Sequence, residues 1–206
     1  MIIAIKQPDK VVVACSLVDG FLLPSDRDYV DPENLPIKFA QDGKLLACTV
    51  ANRNADILLY DTDFVEQSMT HDTIVSKVLP SMKESLKKGG RPPKDDRWSG
   101  MMVVCDDQHL YQIDNSFEVS EVSDYAVSSY HEMEIYSVLD CTENLPAEER
   151  ILRSVVHAES TSYRKVFPVV ITDTKDKQLR VFTQQDAYDY LSKQQTKRNT
   201  DSALHI

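Results

Sequence analysis

Two short apolar runs open the chain. Residues 2–5 and 11–15 are rich in β-branched side chains, and Gln7-Pro8-Asp9-Lys10 between them carries a proline preset for a turn. The pattern predicts a hairpin starting at residue 2. Residues 19–36 are polar, with prolines at 24, 32 and 36, and read as a long loop. Pro36-Ile37-Lys38-Phe39-Ala40 and residues 44–50 then predict a second hairpin, joined through Gln41-Asp42-Gly43, because Asp-Gly is a strong hairpin signal. Residues 55–66 read as a helix. A further helix follows, with Thr70 or Asp72 as its cap. Its apolar face is Ile74, Val75, Val78, Leu79, Met82 and Leu86 at 3.6-residue spacing. Pro80 removes a backbone donor inside it and predicts a kink. Gly89-Gly90 ends it.

The second half follows the same logic. Residues 101–105 and 109–113 predict a hairpin across Asp106-Asp107-Gln108, and residues 117–122 alternate like an edge or half-buried strand. Residues 125–129 lead into a helix over about 130–139. Pro146 opens the next helix at a favoured first-turn position, with Ile151, Leu152, Val155 and Val156 inward. Residues 166–172 and 178–183 read as two strands. A short amphipathic stretch over 185–194 follows, then a loose polar tail from Gln195. Strands and helices fall in blocks rather than alternating singly. That predicts an α+β fold of two antiparallel sheets with helices outside, and argues against a doubly wound parallel sheet.

Composition narrows the function classes. With 206 residues and 42% apolar content the chain has enough for one core, so a single domain is expected over 1–194, with 195–206 as a tail. The net charge of −10 disfavours nucleic-acid and anionic-membrane partners. One local basic string stands out, Lys87-Lys88-Gly89-Gly90-Arg91. The tyrosines at 130, 136, 188 and 190 do not interleave with basic residues, so base stacking is not expected. Cys15, Cys48, Cys105 and Cys141 are far apart and lack a C-x-x-C pattern, which predicts free thiols, mostly buried. No run reaches the roughly 20 apolar residues of a membrane span, and the amino terminus lacks a basic leader segment. The expectation is a soluble, cytoplasmic protein. The five histidines show no metal-ligand spacing, the Asp95-Asp96 and Asp106-Asp107 pairs read as turn residues, and no phosphate loop is present. No metal or cofactor is expected.

Several strings resemble proteasome β-type and HslV-type subunits over about residues 1–183. IIAIKQPDKVVVACS is similar to the opening hairpin of that family, which ends in V-x-x-A-x-D. IKFAQDGKLLACTV is similar to its lysine-bearing strand pair, GMMVVCDDQHLYQID to a later hairpin, and YAVSSYHEMEIYSVLD to the segment entering a helix. The resemblance implies a four-layer αββα sandwich of the N-terminal nucleophile hydrolase type. In that family an amino-terminal Thr supplies both nucleophile and base, with Asp, Lys and Ser around it. Carried onto this chain, the Asp position holds Ser16, the Lys position Lys38 and the Ser position Ser129. Ser129 reads first as a helix cap rather than a catalytic group, and a bulky Tyr130 beside it could partly fill the pocket. Glu159 and Ser160 lie near the family's later Asp. The Thr position falls on or before Met1, and Ile2 is too large for ordinary Met removal. The resemblance therefore implies a degenerate site and a non-catalytic homo- or hetero-oligomeric subunit, with a ring as one form. Two alternatives stay open. One is an active peptide or amide hydrolase made by processing, or using Cys15 beside Lys38. The other is a stand-alone binding or regulatory domain that kept only the fold.

Overall fold

The computed structural model describes residues 1–17, 35–40, 44–48, 57–59, 62, 69–161 and 165–203. The loop expected over 19–36 lies largely outside these residues, and so do the turn at 41–43 and most of the helix expected over 55–66. Strands β1 (Ile2–Gln7), β2 (Lys10–Ser16), β3 (Ile37–Phe39) and β4 (Leu45–Cys48) come first. A helical stretch follows as α1 (His71–Thr73), a π-helical turn (Ile74–Val78) and α2 (Leu79–Lys88). Then come β5 (Met102–Cys105), β6 (Leu110–Ile113), β7 (Val119–Glu121) and β8 (Tyr125–Ser128). The chain ends with α3 (Glu132–Cys141), α4 (Ala147–Ser160), β9 (Val169–Asp173), β10 (Arg180–Phe182) and α5 (Gln184–Ala203).

The strands form two five-stranded sheets, ordered β10-β9-β2-β1-β8 and β3-β4-β5-β6-β7. Every pairing is antiparallel. Period-2 alternation then builds the layers. Along the first hairpin, Ile2, Ala4, Val11, Val13 and Cys15 meet Ile37, Leu45, Ala47, Val103 and Cys105 of the other sheet. Ile3, Ile5, Val12 and Ala14 point the opposite way, onto Ile135, Leu139, Ile151 and Val155 of α3 and α4. On the far side, Leu46, Met102, Val104 and Tyr111 receive Ile74, Val78, Met82 and Leu86. The result is the expected αββα sandwich. Both faces of β1 and β2 are buried, which is why they read as near-continuous apolar runs rather than alternating ones. Each such aliphatic side chain contributes roughly 1.5–3 kcal/mol relative to exposure.

Local chemistry sets the helix bounds. Thr70 is the cap of α1 and its hydroxyl oxygen accepts from Thr73 N–H. Pro80, at the first turn of α2, has no N–H to give. The preceding turn widens to π geometry, and Leu79 N–H reaches back five residues to the Ile74 carbonyl. The kink expected at Pro80 is thus a π turn just before it. Gly90, at φ +74°, closes the helix in the left-handed region. The Asp95-Asp96 pair occupies a tight turn with φ of +53° and +54°. Lys94 and Arg97 exchange both backbone hydrogen bonds across it. Asp106 accepts from the N–H groups of Gln108 and His109 at 2.8 Å each, which fixes the β5–β6 turn.

Two expectations are corrected. Residues 125–128 form a strand, β8, that leaves the second sheet and pairs with β1, Ile2 opposite Ser128. The polar stretch from 195 to 203 is helical, continuing α5. Arg198 on it donates to the buried carboxylate of Glu149 at 2.6 and 2.7 Å. No helix among the described residues is long and apolar enough to cross a membrane.

Candidate active-site region at the open end of strand β1

β1 lies between β2 and β8, so its first residue is flanked on both sides. Ile2 pairs with Cys15 on one side and Ser128 on the other. One residue outward, Met1 therefore lies alongside Ser16 and Ser129. The Met1 carbonyl accepts from Ser16 N–H at 3.1 Å. The structure thus brings two of the three expected site residues to the two sides of Met1.

Each hydroxyl has a defined partner. Ser16 Oγ is buried and donates to the Val166 carbonyl at 2.7 Å. Ser129 Oγ accepts from His131 N–H at 3.1 Å, and Ser129 N–H donates to the Glu132 carboxylate at 3.3 Å. These two bonds close a turn just ahead of α3, whose N-cap is His131, without a side-chain cap of its own. Tyr130 is 63% exposed there.

Lys38 takes a different direction. Ile37 and Phe39 pack in the inter-sheet core, so Lys38 lies on the opposite face of β3, paired with Leu46. Its Nζ donates to the Leu59 carbonyl at 3.1 Å, tying β3 to the helical residues 57–59. Cys15 faces the inter-sheet core with its Sγ 3.9 Å from the Pro36 carbonyl. Burial pushes its thiol up to about 12, the opposite of what an activated thiolate needs.

Glu159 completes the region. Its carboxylate accepts from Val166 N–H and Phe167 N–H, both at 2.8 Å. That anchors the segment whose Val166 carbonyl receives Ser16 and whose Pro168 carbonyl accepts from Leu17 N–H at 2.9 Å. Of the two residues near the family's later Asp, Glu159 therefore has the positioning geometry. The Ser160 hydroxyl instead donates back along α4 to the His157 carbonyl at 2.8 Å. From the sequence Glu159 was only a carboxylate near a family position, because its partners are backbone amides with no side-chain signature. Among the described residues, no group of three or more His, Cys, Asp or Glu could hold a metal ion.

No protein-family model matches this chain, and no curated protein sequence matches it. Solved structures do. The Anbu (ancestral beta-subunit) protein of Yersinia bercovieri superposes with a TM-score of 0.67 at 9% identity, over 99% of this chain and 96% of its own. The Thiobacillus denitrificans BPH protein, solved in complex with epoxomicin, gives a TM-score of 0.65 at 14% identity, over 84% of this chain and 96% of its own. The HslV protein of Trypanosoma brucei gives 0.55 at 10% identity, over 84% of this chain and 97% of its own. At these identities the likeness is one of architecture, and it agrees with the sheet order and layers above. The chain has the proteasome-like N-terminal nucleophile hydrolase fold.

Proposed function

We propose that this chain is a non-catalytic, assembly-forming proteasome-like subunit, contributing surfaces rather than peptide-bond chemistry. The observation that carries this is the commitment of the polar groups around Met1. Ser16 donates to a carbonyl, Ser129 accepts from His131 N–H in the turn before α3, and Cys15 is buried with its thiol pushed up to about 12. A nucleophilic hydrolase needs a hydroxyl or thiol within reach of a base, and the position that opens β1 holds Met1. Ser16 also replaces the charge of the family's Asp with a neutral hydroxyl. The assembly part of the reading draws support from the fold neighbours, one of which is a helical assembly of the Anbu complex from Pseudomonas aeruginosa.

Native mass spectrometry after incubation with epoxomicin tests the proposal. The expected result is a multimer of full-length 23.4 kDa chains with no added inhibitor mass. A subunit shortened to a new Thr, Ser or Cys terminus, or an inhibitor adduct, overturns it in favour of an active hydrolase. A monomer favours a stand-alone binding domain.

A further inference from the structure

Helix α5 is built in two unlike halves. The first half is anchored by packing. Thr183 N–H donates to the Asp186 carboxylate at 3.0 Å and Asp186 N–H to the Thr183 hydroxyl at 3.2 Å, which fixes its start. Ala187 is fully buried, and Tyr190 and Leu191 pack against the core that α4 covers. Phe182 meets Tyr190 edge-on at 6.1 Å. The second half is different. Residues 192–202 are all polar. The face that carries Ala187 and Leu191 continues through Gln194 and Arg198, the two half-buried side chains between residues 192 and 200. The Thr196 and Thr200 hydroxyls bond back to the carbonyls four residues earlier, at 3.0 Å each, a pattern that slightly weakens a helix. A polar helix of about this length is marginal in water by itself.

The tie of this half to α4 is the fork of Arg198 on Glu149, at 2.6 and 2.7 Å. The Glu149 side chain is fully buried, while that of Arg198 is 41% exposed. Arg153, one turn further along α4, also donates to Glu149 through Nε at 2.9 Å. Breaking a buried ion pair is costly chiefly when it leaves one charge uncompensated. Here release of Arg198 returns it to water and leaves Glu149 with Arg153, so neither charge is orphaned. We propose that residues 192–203 form a strap, latched to α4 by Arg198 and Glu149, that opens as a unit of its own while both sheets stay closed. Opening bares the α4 face that carries Glu149 and Arg153, so any contact made through that face has to compete with Arg198.

Hydrogen–deuterium exchange of the full chain, read by peptide mass, tests this on wild type, Arg198→Gln and Lys197→Gln. Arg, Lys and Gln have similar helix propensities, so the first substitution reads the latch and the second is its control on the same turn. In wild type, residues 192–203 are expected to exchange more slowly than an unstructured chain, yet at least tenfold faster than α4 and β1. Arg198→Gln is expected to speed them about tenfold or more, the scale of lost charge-assisted hydrogen bonds, while α4 and β1 stay protected. Lys197→Gln is expected to leave them as in wild type. Exchange of 192–203 in step with α4 and β1, or loss of protection throughout the Arg198→Gln chain, overturns a separate strap. Unprotected 192–203 in wild type, or equal effects of the two substitutions, overturns the latch.

Discussion

Cys15 and Cys141 are the same residue type in opposite surroundings. Cys15 is buried between the sheets with its thiol at about 12, whereas Cys141 ends α3 in the open. At pH 8 a thiol with that value is ionised in about one molecule in 10⁴, so it is inert even before access is considered. Iodoacetamide is expected to label Cys141 in the folded protein and to spare Cys15 and Cys105 until denaturant is added, as read by peptide mass. Native-state labelling of Cys15 would restore it as a candidate nucleophile. Glu149 is the other residue whose surroundings decide its chemistry. Its side chain is fully buried, and it accepts from Arg198 at 2.6 and 2.7 Å and from Arg153 Nε at 2.9 Å. Hydrogen bonds from Arg198, reinforced by Arg153, hold its carboxyl below the ordinary 4.5. A depressed carboxylate stabilises the fold fully above the unfolded value and loses that contribution as pH falls through the folded one. Glu149→Gln is expected to cost about 2 kcal/mol at neutral pH, the scale of lost charge-assisted hydrogen bonds. Urea titrations should show the gap to wild type closing below pH 4.5. A gap independent of pH would mean that the loss is one of packing.

At the scale of elements, the end of α2 is fitted against residues 57–59. A Cβ added at Gly89 would lie 2.3 Å from Ile57 Cδ1 and 2.8 Å from its Cγ1. Gly89→Ala is therefore expected to destabilise by about 1–3 kcal/mol through overpacking. Ile57→Ala should cost less in that background than in wild type, which a double-mutant cycle measures; strict additivity would place the clash elsewhere. The elements differed in how plainly their residues announced them. β1, β2, β5 and β6 were legible because each is an apolar run bounded by turn chemistry. β8 was not, because Tyr-Ala-Val-Ser abuts a helix start and its partner, β1, lies more than a hundred residues earlier. The last turns of α5 were hidden for another reason. They carry no apolar stripe, and the bond that anchors them joins Arg198 to a carboxylate 49 residues away. Pro80 signalled a kink but not its form, since a π turn depends on which carbonyls are left without donors. Within the candidate site, Ser16 and Ser129 were placed by the family resemblance, and the register of β1 with β2 and β8 then sets them beside Met1. The direction of Lys38 could not be placed so, because it follows from which face of β3 meets the other sheet.

For the molecule as a whole, the order of chain and the order of space do not coincide. The second sheet is made wholly from residues 37–121, while the first takes its strands from residues 2–16 and from 125–182. One sheet is thus inserted into the sequence of the other. During synthesis the opening hairpin leaves the ribosome with the outer edges of β1 and β2 both unpaired. β8 and β9, which cover those edges, are more than a hundred and about a hundred and fifty residues behind. At the roughly 5–20 residues per second of translation, the wait for β8 is about 6–20 s. A lone two-stranded hairpin is marginal in water, and this one is apolar on both faces. The inserted sheet is therefore the part of the molecule that can close first. Strands made before the inserted sheet are thus among the last to find their places, and a nascent chain stalled before β8 would present two sticky edges to any holding chaperone.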